Sequence, residues 1–323
     1  MATYRHLSHY VYSIWLFTRS DLKTIVGPST AFGMSNALVA SAYSLYLPLA
    51  LDLTKPSTFF RVTAMVAFWA WINLLPHAID NQLSPKAISE DACNKPWRTL
   101  PSNRMTPKQA GALRIPLYAF AFISSWQLGG VRQSITLLGL AKWYNHLGGG
   151  DANALVRNFI NGAGYMCYTS GALEVALGNT WLPVQAFPWL FILGLVVFST
   201  VQTQDFHDQA GDSVRGRKTL PLQIGDSPAR HATAVLVLFW SCMCAWFWKL
   251  YAVPVGCVPT ALGCCIAYRL LTKRSIDQDK ATFRLWNLWM VVLFVMPVTH
   301  TFAQGCGVGN ACFWGLREWR ALA

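Results

Sequence analysis

Charged residues gather in short clusters along this chain and leave the stretches between them almost bare. The run "FPWLFILGLVVFSTV", residues 187–201, is the plainest case and carries no charge at all. A helix needs roughly 20 apolar residues to cross a bilayer core, and windows of that kind recur from end to end. Of 323 residues, 54% are hydrophobic and 12% charged, with a mean hydropathy of +0.32. A soluble domain carries about 25% charge, so this composition excludes an ordinary water-soluble core and points to a polytopic membrane protein.

The pattern predicts an all-α bundle of nine transmembrane helices, near residues 24–52, 60–80, 111–131, 133–148, 158–178, 184–204, 231–249, 252–272 and 284–303. Lys142, Asn145 and His146 interrupt the fourth, which is the weakest. No internal repeat or low-complexity segment divides residues 1–323, so a single domain is expected. Residues 1–22 mix Tyr, His, Arg and Ser with short apolar pieces and read as an interfacial segment rather than a cleavable signal. Lys and Arg concentrate at the N-terminus and in the loops after the second, fourth, sixth and eighth spans, which the positive-inside rule puts in the cytosol. The two long polar loops, 81–110 and 205–230, fall on that same side.

The net charge of +12 resides in loops between apolar spans, so anionic lipid and an anionic substrate suit it better than nucleic acid. Cys167, Cys242, Cys244, Cys257, Cys264 and Cys265 lie inside apolar runs, and no Cys/His cluster has zinc spacing. Only Cys306 and Cys312 are placed to pair.

The apolar run at 187–201 leads into "QDFHDQAGDSVRGRKTLPLQ", residues 204–223. Asp205, Asp208 and Asp212 stand at i, i+3 and i+7, a spacing that puts three carboxylates on one face of a helix. Charges so arranged repel unless a cation joins them. Arg215, Arg217 and Lys218 follow at once and supply donors for an anion. The first long loop repeats the theme. Asn73, His77 and Asp80 form a polar face at i, i+4 and i+7, then come Asn81, Gln82, Glu90 and Asp91, then Lys95 and Arg98. A solvated loop would also carry charges, but polar clusters at a membrane edge are costly and mark functional sites.

Mg²⁺ is held by a few carboxylates together with substrate phosphate oxygens. A diphosphate departs as an anion when that metal and several Lys or Arg donors surround it. The allylic carbocation left behind must be kept from water. A polar mouth above an apolar bundle meets both needs.

In these residues, and over nearly its whole length, the chain resembles the UbiA superfamily of membrane prenyltransferases. The family's second aspartate-rich motif is nearly complete, with Asp205, Asp208, Gly211, Asp212, Gly216, Arg217, Lys218, Thr219, Leu220 and Pro221 in place. "NKPWR" at 94–98, followed by "LPS", is similar to the tail of the first motif. Its head departs from the family: Asn81 and Gln82 precede Glu90 and Asp91 with Pro85 between, Thr99 replaces the usual Pro, and Asn103 the usual Gly. This variant is similar to the fungal branch that includes UbiA-type terpene cyclases.

The resemblance implies a nine-helix fold around a central cavity, with Mg²⁺ as cofactor. It implies Asn81, Glu90, Asp91, Asp205, Asp208 and Asp212 as metal ligands, Asp80 being next in line, and gives the four aspartates from Asp91 onward a catalytic part. Lys95, Arg98, Arg217 and Lys218 would grip diphosphate, joined from "LAKWYNHLGGGD" by Lys142 and Tyr144. Lys142 either meets phosphate or snorkels to the surface. Asn73, His77, Asn145, Asn158 and Asn161 are the expected cavity residues, though the last two would equally serve helix–helix hydrogen bonds. Trp69, Trp71, Phe120, Phe122 and Trp126 sit in mid-span, where aromatic faces could meet a carbocation.

Two functions share these features. The first is terpene cyclisation: Mg²⁺-dependent loss of diphosphate from a linear C20 or C15 prenyl diphosphate, then ring closure. The second transfers the prenyl group to an aromatic or other small acceptor, and branch resemblance favours the first. A transporter would spread polar residues at midplane along broken helices, whereas here they gather at one face. No obligate protein partner is called for. The expected location is the endoplasmic reticulum membrane, with the site loops facing the cytosol.

Overall fold

A computed structural model of the chain describes residues 2–40, 52–178, 181–182 and 184–303, and every regular element among them is helical. In order these are α1 (Ala2–Thr18), a π-helical turn (Leu22–Val26), α2 (Gly27–Leu38), α3 (Pro56–Gln82), α4 (Pro85–Asn94), α5 (Pro107–Leu128), α6 (Val131–Asn145) and α7 (Gly149–Ala152). There follow α8 (Ala154–Ala176), α9 (Phe187–Thr200), α10 (Asp205–Arg215), α11 (Leu220–Ile224), α12 (Asp226–Phe247), α13 (Cys257–Thr272), α14 (Ile276–Phe294) and α15 (Met296–Ala303). α8 is the hub and packs against α2, α3, α6 and α9, while α12, α13 and α14 stack in sequence and α14 closes back on α2.

Among the described residues, four stretches are long and apolar enough to cross a membrane: Pro56–Gln82, Val184–Thr203, Asp226–Phe247 and Pro254–Thr272. The pair α14 and α15, bent by 45° at the break between them, makes a fifth if counted as one span. The remaining expected spans are shorter or more polar. α6 has 15 residues, and α8 buries Arg157, Asn158 and Glu174. Part of the first expected span lies outside the described residues, as do Cys306 and Cys312.

The interior is filled by large aromatic rings, and three of the buried indoles have their N–H groups satisfied. Trp69, Trp286 and Trp289 are wholly buried, and their indole N–H groups donate to Ser125 Oγ at 2.9 Å, Thr200 Oγ1 at 3.0 Å and Ser241 Oγ at 3.0 Å. Glycine makes room for one of them: a Cβ at Gly171 of α8 would overlap the Trp69 ring. Gly171→Ala is therefore expected to destabilise the protein by about 1–3 kcal/mol through overpacking, measured by unfolding in detergent micelles.

Both long loops are themselves helical, and this positions the site. α3 ends at Gln82, and Ser84, whose Oγ accepts from Ala87 N at 3.1 Å, starts α4 afresh with Pro85 in its first turn. Glu90 and Asp91 thus ride on a separate short helix. On the other side one 3₁₀ turn, Val201–Thr203, parts α9 from α10, which keeps its three carboxylates on one face. α1 packs along α3, where Gln82 Nε2 donates to the Phe17 carbonyl at 2.9 Å. Its outward residues Tyr10, Val11, Tyr12 and Trp15 stay exposed.

Candidate active site

α4 lies against α10, and Asn94 joins them. Its Nδ2 donates to the Asp208 carbonyl at 3.0 Å, and its Oδ1 accepts from Gly211 N at 3.1 Å. A Cβ at Gly211 would overlap the Asn94 amide, so glycine is what lets the helices approach this closely. Two motifs more than a hundred residues apart are therefore one contact.

Acids and bases interlock along this seam. Lys95 Nζ lies 2.9 Å from Asp208 Oδ2. Glu90 Oε2 accepts from Arg215 Nη1 at 3.0 Å and pairs by charge with Arg217 Nε 3.3 Å away. Arg157 of α8 reaches Asp205 Oδ2 at 2.8 Å. Asp151 of α7 meets Arg215 Nε at 3.0 Å, and Arg217 Nη1 donates to Tyr144 Oη at 3.1 Å. Burial works against ionisation of all three α10 carboxyls, and their neighbours decide the result. Lys95 and His207 overcome burial at Asp208 and hold it at about 2. At Asp205 burial outweighs Arg157, and the carboxyl stays above its ordinary range. Asp212, buried and facing the Asp205 charge, is pushed up to about 7.

A pocket of about 230 Å³ opens beside the seam. Glu90, Lys95, Arg98, Asp208, Asp212 and Arg217 form its polar end, and Leu74, Leu137, Leu140, Ile160, Tyr165 and Tyr168 line much of the remainder. Among the described residues no three His, Cys, Asp or Glu side chains stand close enough to hold a metal ion unaided. Mg²⁺ needs no such cage, because it keeps several waters and takes one or two carboxylates plus substrate phosphate oxygens. Asp205 Oδ1, Asp212 Oδ2 and Asn81 Oδ1 are buried and accept no hydrogen bond. Three hard oxygen donors without partners, two of them on acids that repel each other, fit that ion.

Of the residues singled out from the sequence, Asn81, Glu90, Lys95, Arg98, Asp208, Asp212 and Arg217 meet at the pocket, with His77, Tyr144, Asn145 and Asn161 on its walls. Asp205 is buried directly behind, on Arg157. Others stand elsewhere. Asp91 gives both carboxylate oxygens to Arg98 Nη1, at 2.8 and 3.0 Å, and orients that guanidinium instead of facing the pocket. Asp80 is likewise taken, by Arg114 and Tyr118. Lys142 is exposed, since α6 turns Leu137, Ala141 and Tyr144 inward and residue 142 falls about 100° off that face. Lys218 follows Arg217 in the short non-helical segment after α10 and is exposed.

Asn73 and Asn158 serve helix packing. Asn73 Nδ2 donates to Trp69 O at 3.0 Å and Ser125 Oγ at 3.1 Å, and Asn158 Nδ2 to Gln202 Oε1 at 3.1 Å. None of the five mid-span aromatics lines the pocket: Trp69 is core, Trp71 donates to Thr18 Oγ1 at 3.2 Å, and Phe120, Phe122 and Trp126 are exposed. Tyr165, Tyr168 and Arg157 take the places that sequence reading left open. Asn161, Gly164, Tyr165 and Tyr168 recur at helical spacing on one face of α8, a signal that was present in the sequence.

The sequence profile described as the UbiA prenyltransferase family matches residues 33–290. The chain belongs to that family. This UbiA protein is 27% identical to fumagillin beta-trans-bergamotene synthase of Aspergillus fumigatus, over 88% of its own length and 91% of the relative's. It is 29% identical to somaliensene A/B synthase of Streptomyces somaliensis, over 85% of this chain and 88% of that one. In fold it is similar to a UbiA homolog from Archaeoglobus fulgidus bound to DMAPP and Mg²⁺, with a TM-score of 0.55 at 10% identity, covering 86% of this UbiA chain and 98% of the other.

Proposed function

We propose that this UbiA protein is a membrane-embedded terpene cyclase that begins by ionising a linear C20 or C15 prenyl diphosphate, with Mg²⁺ as cofactor. The reading is carried by one observation: both acid–base clusters converge on the polar end of a single pocket whose other walls are largely apolar and aromatic. Similarity to two terpene synthases over most of the chain supports ring closure over transfer to a second substrate. We take residues 1–323 as one domain of nine spans around that pocket, in the endoplasmic reticulum membrane with α4 and α10 in the cytosol. The distribution of Lys and Arg among the loops supports that orientation.

In this reading Asn81, Asp205 and Asp212 offer their free oxygens to Mg²⁺, Glu90 and Asp208 join the set only as phosphate oxygens draw their cations away, and Lys95, Arg98 and Arg217 receive the diphosphate. Bound Mg²⁺ supplies positive charge against the charge that builds on the leaving group. Glu90 and Asp151 already hold Arg215 and Arg217 in place, so an arriving anion exchanges oxygens on guanidinium groups that need little reorientation. The carbon–oxygen bond breaks, its electron pair stays with diphosphate, and the hydrocarbon chain keeps an allylic cation. Leu74, Leu137, Leu140 and Ile160 exclude water from that cation, and the rings of Tyr165 and Tyr168 attract it.

Microsomes containing the protein, given farnesyl or geranylgeranyl diphosphate and Mg²⁺ without any acceptor, are expected to release cyclic hydrocarbon. Product that forms only after an aromatic acceptor is added would replace cyclisation with prenyl transfer.

A further inference from the structure

His77 stands apart from the acid–base seam. It shares a face of α3 with Leu74, Ala78 and Asn81, about 6 Å farther along the helix axis than Asn81, and its half-buried ring lines the pocket. Behind it lies a network that diphosphate departure does not use. Tyr118 Oη is 3.3 Å from His77 Nδ1 and 2.5 Å from Asp80 Oδ2. Asp80 Oδ1 is engaged in turn by Arg114 and by His146 Nε2, the latter at 3.4 Å.

These contacts fix where the imidazole carries its hydrogen. Tyr118 has one hydroxyl hydrogen, and the Asp80 carboxylate is the stronger and nearer acceptor for it. The Tyr118 oxygen then offers only a lone pair to His77, so Nδ1 must be the ring nitrogen that donates. A neutral imidazole protonated at Nδ1 has a free lone pair on Nε2. Among the described residues Nε2 has no hydrogen-bond partner. The pocket thus holds a basic nitrogen away from the diphosphate-binding end, with its tautomer imposed from behind.

The geometry points to His77 as the base that ends the cyclisation, with Tyr118 and Asp80 as the positioning residues that keep Nε2 ready to accept. The step rests on the cyclase reading given above. His77 Nε2 takes a proton from a carbon adjacent to the final cationic centre, forming an N–H bond as the C–H bond breaks. The C–H electron pair becomes the second bond of an alkene, and the hydrocarbon leaves neutral. The imidazolium so formed is stabilised through Nδ1 by the Tyr118–Asp80 pair, and its added proton passes to water when the product departs. No oxidant or further reactant is required. Diphosphate, gripped at the polar end, would deprotonate only carbons near the seam, whereas His77 reaches those deeper along α3.

The test measures two quantities in one incubation without acceptor: diphosphate released and parental hydrocarbon formed. In His77→Phe the ratio of hydrocarbon to diphosphate should fall by about tenfold or more, with alcohols or earlier-terminated olefins in its place. Tyr118→Phe, which keeps the ring but frees the tautomer, should shift the same ratio in the same direction by less. Isotope-edited NMR of the parental histidines should show His77 protonated at Nδ1 alone. A parental ratio in His77→Phe overturns the assignment, as does hydrogen found on Nε2. An equal loss of diphosphate and hydrocarbon in both variants also overturns it, because that would mark a structural role. A parent that yields no hydrocarbon sinks the cyclase reading itself, whereas parental hydrocarbon from His77→Phe sinks only this step.

Discussion

Asp212→Asn is expected to cut diphosphate release roughly a hundred- to a thousandfold while leaving the protein at least as stable as its parent. The side chain does little for the fold. Its Oδ2 has no partner and its Oδ1 lies 3.8 Å from Arg217 Nε, while the contact that caps α10, from Arg217 N at 2.9 Å, uses the Asp212 backbone carbonyl. Burial and the neighbouring Asp205 raise its carboxyl to about 7, whereas an unfolded chain would release that proton near 3.8. Between those values the folded state binds more protons than the unfolded one, so the parent loses stability as pH rises through that window. Asparagine has no proton to give up, and the variant should escape this loss and melt higher than the parent at pH 8. Asp205→Ala should behave differently. It strands the buried Arg157 guanidinium, and a lone buried charge costs on the order of 3–5 kcal/mol, so activity and melting temperature should fall together. Diphosphate release and melting curves in detergent, recorded at pH 5 and pH 8, separate the two. Parental turnover in Asp212→Asn would remove that residue from the metal set.

The contrast shows which part of the site was legible in the sequence. Regular spacing on a continuous helix carries its own geometry, so Asp205, Asp208 and Asp212 could be placed on one face before any partner was known. The first motif offered no such ruler. Ser84 and Pro85 restart the helix, and sequence gives no means of knowing that Glu90 then turns to Arg215 while Asp91, one residue on, turns to Arg98. Lys142 looked deep by its position in an apolar window, yet depth along a helix says nothing of direction around it, and its face looks outward. The aromatic lining failed for the same reason. Trp69 and Tyr168 come from different helices and meet edge to face with ring centroids 6.5 Å apart, but only the tyrosine reaches the pocket, because the tryptophan is spent on helix packing. Polar residues were read best where their neighbours in sequence were also their neighbours in space.

Arg217 and Lys218 turn this point into the sharpest comparison the chain allows. They are adjacent, alike in charge, and indistinguishable in a motif. Arg217→Ala should lower kcat/KM on the order of a hundredfold, and Lys218→Ala should stay within about twofold of the parent. Arg217 is buried at the pocket's polar end, between Glu90 and the Tyr144 hydroxyl, and its planar fork can trade those oxygens for phosphate oxygens. Lys218 is exposed and outside the pocket, and its charge is screened by solvent. Loss of Arg217 does not strand Glu90, which keeps Arg215 at 3.0 Å, so the defect should appear in substrate turnover with little change in melting temperature. Arg217→Lys should recover only part of the rate, because an ammonium keeps the charge and loses the fork. Equal defects in the alanine variants would mean that net positive charge near the loop, and not a shaped clamp, drives the departure of diphosphate. A defect larger in Lys218→Ala would reverse the geometry on which the anion site is built.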